Sequence, residues 1–220
     1  MENSQILSHV DHTLLKAAAS WEEICTLCEE AIQYKTASVC VPPSYIYRIA
    51  QEFPRLNICT VIGFPLGYSV VQAKQAEVEK AVADGASEVD MVINMGDVKN
   101  RDYDCITEEI RTLKRAAVGR VLKVIIETCY LTEEEKIALC KCVTEGGADY
   151  IKTSTGFGTG GALMEDIRLF KQHIGPNVKI KAAGGIRSRQ DMVDFLEAGC
   201  DRLGTSSAVK ILMEEAASGY

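Results

Sequence analysis

Short apolar runs rich in β-formers alternate with longer amphipathic segments along the whole chain. This alternation restricts the fold more than any single motif. The β-type runs fall at residues 10–13, 37–41, 57–62, 88–93, 121–127, 150–153, 179–182 and 202–204. They are mostly apolar rather than strictly alternating, the pattern of parallel strands covered on both faces. Between them, residues 72–82 read as an amphipathic helix that stops near Asp84-Gly85. Thr132 opens another as its N-cap, with Glu135 completing a capping box. Asp84-Gly85-Ala86, Gly146-Gly147-Ala148-Asp149 and Ala198-Gly199-Cys200-Asp201 are variants of one phrase, a glycine helix stop followed at once by a strand. Eight strands with intervening helices predict an α/β fold, a (β/α)8 (TIM) barrel, as one domain over residues 1–220. An open doubly wound sheet is the alternative. No GxGxxG follows the first strand to support its dinucleotide-binding version.

Composition narrows the partners. The 220 residues carry a formal net charge of −7, which argues against a nucleic-acid footprint. No apolar run approaches the length of a membrane span. Met1-Glu2-Asn3-Ser4-Gln5 lacks the basic and apolar regions of a secretory leader, so the expected location is the cytoplasm. Nine cysteines are scattered and odd in number, as expected of reduced thiols rather than a disulfide framework. Cys25-Thr26-Leu27-Cys28 has CxxC spacing, but no second pair or His pair completes a zinc site. No metal and no cofactor are expected. The sequence leaves a homo-oligomer open.

In a barrel of this kind, functional side chains sit at the carboxyl ends of the strands. Those ends carry Asp11, Thr13, Cys40, Asp90, Asn94, Glu127, Lys152, Lys181 and the run Gly204-Thr205-Ser206-Ser207. Lys152 follows apolar Tyr150 and Ile151 and leads into a polar turn ending at Gly156, the setting of an amine nucleophile. An ordinary lysine pKa is about 10.4, so attack near neutrality needs a shift of roughly 3 to 4 units. A like charge about 5 Å away, at an effective dielectric of about 20, supplies about 3 kcal/mol of it. Lys181, in a parallel setting at the end of the next strand, fits that role. The competing reading makes Lys152 a structural ion pair with Asp90 or Glu127, and Lys181 a phosphate ligand. Strand alternation puts Glu88, Asp90 and Val92 on one face and Val89, Met91 and Ile93 on the other. A carboxylate inside that run needs a partner, and proton transfer beside the lysines is its functional reading. Glu127 is expected to orient or neutralise lysines.

Gly184-Gly185 follows the seventh strand, and Ser206 and Ser207 follow the eighth and open the last helix. Loops after strands seven and eight, with a helix N-terminus, form a recurring phosphate cradle. A tight turn and a plain N-cap are the simpler alternatives. His9, His12 and His173 show no metal-ligand spacing, and a structural role is expected for His12. Arg187 and Arg189 read as surface charges.

Lys152-Thr153-Ser154-Thr155-Gly156-Phe157 and Lys181-Ala182-Ala183-Gly184-Gly185-Ile186-Arg187 resemble the lysine motifs of the deoxyribose-phosphate aldolase family. Asp11-His12-Thr13-Leu14-Leu15, Cys40-Val41-Pro42-Pro43, Gly63-Phe64-Pro65-Leu66-Gly67 and Val89-Asp90-Met91-Val92-Ile93-Asn94 are similar in the same order. The resemblance implies a metal-independent class I aldolase on a (β/α)8 barrel. Its small-molecule partners would be 2-deoxy-D-ribose 5-phosphate, D-glyceraldehyde 3-phosphate and acetaldehyde. By motif, Lys152 corresponds to the Schiff-base lysine, and Asp90 and Lys181 to the proton-relay pair. Gly184, Gly185, Ser206 and Ser207 fall where the family holds phosphate, and Thr13 and Asn94 are carried as further substrate contacts. Tyr220 resembles a tail tyrosine linked to proton exchange. Phe157 stands where some relatives carry a lysine, so that position brings no charge to the phosphate, and Ala183 replaces a common serine. A different phosphosugar lyase or isomerase on the same barrel, or a non-enzymatic phosphometabolite sensor, are the competing classes.

Overall fold

Eight parallel strands close on themselves: β1 (Val10–Thr13), β2 (Ser38–Val41), β3 (Ile58–Ile62), β4 (Glu88–Val92), β5 (Val121–Ile125), β6 (Tyr150–Lys152), β7 (Lys179–Ala183) and β8 (Arg202–Thr205). Each pairs with its sequence neighbour, and β8 returns to β1 with Val10 opposite Leu203 and His12 opposite Thr205. The computed structural model describes the backbone of residues 1–218 and side chains as far as residue 213. Its helices are α1 (Asn3–Leu7), α2 (Trp21–Tyr34), α3 (Ile46–Glu52), α4 (Val71–Asp84), α5 (Met95–Lys99), α6 (Tyr103–Ala116), α7 (Glu133–Glu145), α8 (Met164–His173), α9 (Arg189–Glu197) and α10 (Ala208–Ser218). The barrel expected from the alternation is therefore formed, and the open doubly wound sheet is not.

Local chemistry starts and stops the helices as the residues dictate. Ser20 with Glu23 and Thr132 with Glu135 form capping boxes at α2 and α7. Gly85, at φ 112°, ends α4 in the left-handed region, and Gly199, at φ 109°, turns the chain from α9 toward β8. The strands stop within a residue or two of the expected ends. The largest difference is at β5, which finishes at Ile125. Glu127 then adopts φ 49° and leads into a 3₁₀ turn over Thr128–Tyr130.

The core lies between the sheet's outer face and the helices. Val89, Met91, Leu122, Val124, Ile151 and Leu203 are fully buried there with Ile24, Val78, Ile110, Leu139 and Phe170. Strand alternation then forces the next residues of β4 and β5, namely Glu88, Asp90 and Lys123, into the barrel interior. Barrel interiors are usually filled by branched aliphatic residues. Here a layer of charges fills part of that space.

The loop after β3 is fixed by close backbone approach. Gly67 has φ 72°, and a Cβ there would lie 2.0 Å from the Ile93 carbonyl oxygen. Gly67→Ala is expected to cost about 3 kcal/mol or more, through both the clash and the left-handed backbone. A urea-unfolding midpoint equal to wild type would contradict this.

Candidate active site

Register explains why residues far apart in sequence meet. Lys152 on β6 is directly opposite Lys181 on β7, and Asp90 on β4 is opposite Lys123 on β5. All four are at least 97 % buried. Lys152 Nζ donates to Asp90 Oδ2 at 2.8 Å, and Lys181 Nζ donates to the same oxygen at 2.7 Å. Lys123 Nζ donates to Asp90 Oδ1 at 2.9 Å and pairs with Glu88 Oε2 at 2.5 Å. Asp11 binds Lys181 through Oδ2, and it takes Arg202 at 2.5 Å and the Ser38 hydroxyl at 2.7 Å through Oδ1. Asp90 thus holds three ammonium groups, and one of its oxygens is shared by Lys152 and Lys181.

Burial alone would protonate these carboxyls and discharge these amines. The network reverses both tendencies. Burial pushes Asp90 upward, but Lys123, Lys152 and Lys181 outweigh it and hold the carboxyl well below the usual range. Asp11 is held low in the same way by Lys181, Lys123 and Arg202. Burial opposes charge on Lys181, yet Asp11 and Asp90 raise it above the ordinary lysine range, and Lys123 is raised likewise by Asp90 and its neighbours. The cluster contains four cationic side chains, Lys123, Lys152, Lys181 and Arg202, against three carboxylates, Asp11, Glu88 and Asp90. Lys152 is the amine of the cluster that opens to solvent, and Asp90 is its one ion-pair partner among the described residues.

That opening separates the two readings of Lys152. The ion pair required by a structural role is present with Asp90. A purely structural pair needs no access, and Lys123 and Lys181 have none. Lys152 lines a cleft of about 740 Å³ at the carboxyl end of the barrel, bounded by the segments after β6, β7, β8 and β1. Gly184 and Gly185, at φ 81° and 77°, turn the chain after β7 so that bare backbone faces this cleft. Ser206 and Ser207 line it just before α10, where Thr205 Oγ1 accepts from Ser207 N at 3.2 Å. Thr13 also lines it, with its hydroxyl donating to the Asp11 carbonyl at 2.7 Å. The cationic side chains lining the cleft are Lys16, Lys152 and Arg187, and no carboxylate lines it among the described residues. In a chain of net charge −7, a cleft lined only by cations among its charged side chains attracts anions.

Not every sequence candidate converges here. Asn94 caps α5, its side chain accepting from Gly96 N at 3.0 Å, and it does not line the cleft. Tyr220 lies outside the described residues. Glu127, expected beside the lysines, instead accepts from Thr155 N at 3.2 Å and from the Thr155 hydroxyl. The 49° backbone turn at Glu127 points the carboxylate at the loop after β6, which it braces just beyond Lys152. Arg187 is exposed, as a surface charge would be, yet it faces the cleft. Arg189 reaches back to Asn3 Oδ1 at 3.0 Å. His12 Nε2 lies 2.6 Å from Glu30 Oε2 and fastens β1 to α2. Cys40, Cys59 and Asp90 bring ligand-type atoms within 4.8 Å of one another, but Asp90 already faces three lysines, and their charge opposes a metal cation.

Two residues escaped the sequence reading. Lys123 occupies the middle of Val121-Leu122-Lys123-Val124-Ile125, a charge inside an apolar strand. That is the same signal that marked Asp90. Lys16 lies in a loop, where no periodicity points to it.

The model of the DeoC/LacD family aldolases matches residues 6–208. The chain belongs to the DeoC/LacD aldolase family. It is 63% identical, over the full length of both chains, to a deoxyribose-phosphate aldolase of Clostridium botulinum strain Alaska E43. It is 56% identical to the deoxyribose-phosphate aldolase of Clostridioides difficile strain 630, across 98% of this chain and 99% of the relative. Among solved structures, the aldolase QR15 superposes with a TM-score of 0.92 at 38% identity, covering 96% of each chain. The tetrameric deoxyribose phosphate aldolase of Aeropyrum pernix superposes with a TM-score of 0.87 at 31% identity, covering 99% of this chain and 93% of its own. For a DeoC/LacD aldolase, an accessible amine at a strand end beside an anion-binding cleft is the arrangement covalent carbon–carbon cleavage requires.

Proposed function

We propose that this chain is a Schiff-base aldolase that reversibly cleaves 2-deoxy-D-ribose 5-phosphate to D-glyceraldehyde 3-phosphate and acetaldehyde, serving deoxynucleoside breakdown. The observation that carries the reading is Lys152. It shares one Asp90 oxygen with Lys181 and alone of the cluster lysines opens to a cationic cleft.

The residues divide the work. Uncharged Lys152 adds to the aldehyde carbon of the open-chain sugar, and loss of water leaves an iminium ion. The iminium nitrogen keeps a positive charge where the ammonium stood, so Asp90 still faces a cation. That nitrogen is the electron sink for scission of the C2–C3 bond. The C3 hydroxyl proton leaves to a water held by the Asp90 carboxylate and passes from that water to solvent, the route by which the enamine later takes up a proton. Lys181 stays charged and fixes the Asp90 carboxylate. Glyceraldehyde 3-phosphate departs. The enamine left on Lys152 regains a proton, and water then hydrolyses it to acetaldehyde and the free amine. Gly184, Gly185, Ser206 and Ser207 hold the phosphate away from the reacting bond, so its binding energy orients the sugar. Thr13 borders the same space, while Asn94 caps α5 and does not line it.

The same reading takes residues 1–220 as one catalytic domain working on small molecules in the cytoplasm. Among the described residues, no helix is long and apolar enough to cross a membrane. The Aeropyrum pernix tetramer is a precedent for a homo-oligomer. Incubation with 2-deoxy-D-ribose 5-phosphate tests the activity. Stoichiometric acetaldehyde and glyceraldehyde 3-phosphate are expected. Conversion without acetaldehyde would identify an isomerase, and binding without turnover a sensor.

A further inference from the structure

We infer that Lys16 supplies one of the two positive charges that recognise the substrate phosphate, and so sets a preference for phosphorylated over neutral sugars. The inference deepens the proposed function and rests on it for the identity of the phosphorylated ligand.

Barrel closure places Lys16. Because β8 pairs with β1, the segment after β1 borders the segment after β8, where Ser206 and Ser207 lie. Lys16 therefore lines the same cleft as those serines and the Gly184-Gly185 turn. Its backbone is fixed. Leu14 N donates to Cys40 O at 2.9 Å, Ala19 N donates to Lys16 O at 3.1 Å, and the Tyr45 hydroxyl donates to Ala19 O at 2.5 Å.

The Lys16 side chain is exposed and has no hydrogen bond or ion pair among the described residues. Its charge reaches Glu23 only as a minor influence on a carboxylate already held by Ser20 in a capping box. A flexible ammonium on a fixed loop, at the rim of a cleft without carboxylates, is suited to meet a mobile dianion.

The other cations do not make Lys16 redundant. Lys152 is paired with Asp90 and is consumed by the covalent chemistry. Phe157 contributes an uncharged ring, packed edge-on against Phe64 at 5.2 Å. That leaves Arg187 on the β7 side and Lys16 on the β1 side, flanking the glycine and serine donors. A phosphomonoester near neutral pH carries close to two negative charges, and two cations on either side of the serines after β8 match it. A neutral sugar gains nothing from either.

The test uses the full chain and sn-glycerol 3-phosphate, an inert phosphomonoester, titrated calorimetrically into wild type, Lys16→Met and Lys16→Arg. Lys16→Met is expected to weaken binding about tenfold, and Lys16→Arg, which keeps the charge, by less than about threefold. In turnover, Lys16→Met should lose at least about fivefold more kcat/KM on 2-deoxy-D-ribose 5-phosphate than on 2-deoxy-D-ribose, chiefly through KM. Binding by Lys16→Met as tight as wild type, or equal losses on the two sugars, would overturn the inference. So would a wild-type protein that does not bind glycerol phosphate. If wild type binds it through Lys16 yet releases no acetaldehyde, the role of Lys16 stands and the aldolase reading falls.

Discussion

Lys152→Arg should lower kcat for 2-deoxy-D-ribose 5-phosphate cleavage by at least about ten-thousandfold while the protein stays folded. Arginine keeps a positive charge within reach of the Asp90 oxygen that Lys152 now contacts at 2.8 Å. The charge balance of the cluster is thus preserved, and the barrel should be weakened only modestly. A guanidinium, with a pKa above about 12, offers no free amine to form an imine. Gly184, Gly185, Ser206 and Ser207 are untouched, so affinity for sn-glycerol 3-phosphate should survive within a few-fold. Steady-state kinetics and phosphate binding, measured on the same preparation, check both halves. Cleavage near the wild-type rate would remove Lys152 from the chemistry.

The second large effect belongs to Asp90. Asp90→Asn leaves Lys123, Lys152 and Lys181 around a neutral amide and widens the cationic excess of the cluster. Breaking a buried ion pair by removing one partner costs about 3 to 5 kcal/mol. Discharge of one lysine in the variant offsets part of that. Turnover should fall at least about a thousandfold, because the relay carboxylate and the counter-charge to the iminium are both lost. Thermal unfolding separates stability from catalysis. A folded Asp90→Asn protein that is less stable yet turns over normally would reduce Asp90 to a structural partner.

Much of this architecture is legible in the chain because local and global rules agree. The apolar runs at β4, β5 and β6 admit few identities other than strands covered on both faces. The glycine stops at Gly85 and Gly199 mark where helices hand over to strands. Asp90 and Lys152 stand out because charge inside or at the end of such a run demands a partner. Lys123 carries the same mark, but it lies deeper in β5, away from the strand ends where site residues gather. Its partners, Asp90 and Glu88, come from the register of β4 against β5, which no single strand encodes. Glu127 and Asn94 stand outside the cleft lining for a common reason. Both lie just past a strand, where one backbone turn decides between the cleft and the protein. Glu127 turns at φ 49° to brace Thr155, and Asn94 turns to cap α5. Lys16 was silent because its meaning depends on β8 lying beside β1, at the opposite end of the sequence.

The most direct measurement is covalent trapping. The protein is incubated with acetaldehyde, reduced with borohydride, digested and mapped by mass spectrometry. The mechanism predicts an ethyl group on Lys152, absent when borohydride is omitted. No reduced adduct, or one confined to other lysines while Lys152 stays unmodified, would contradict it.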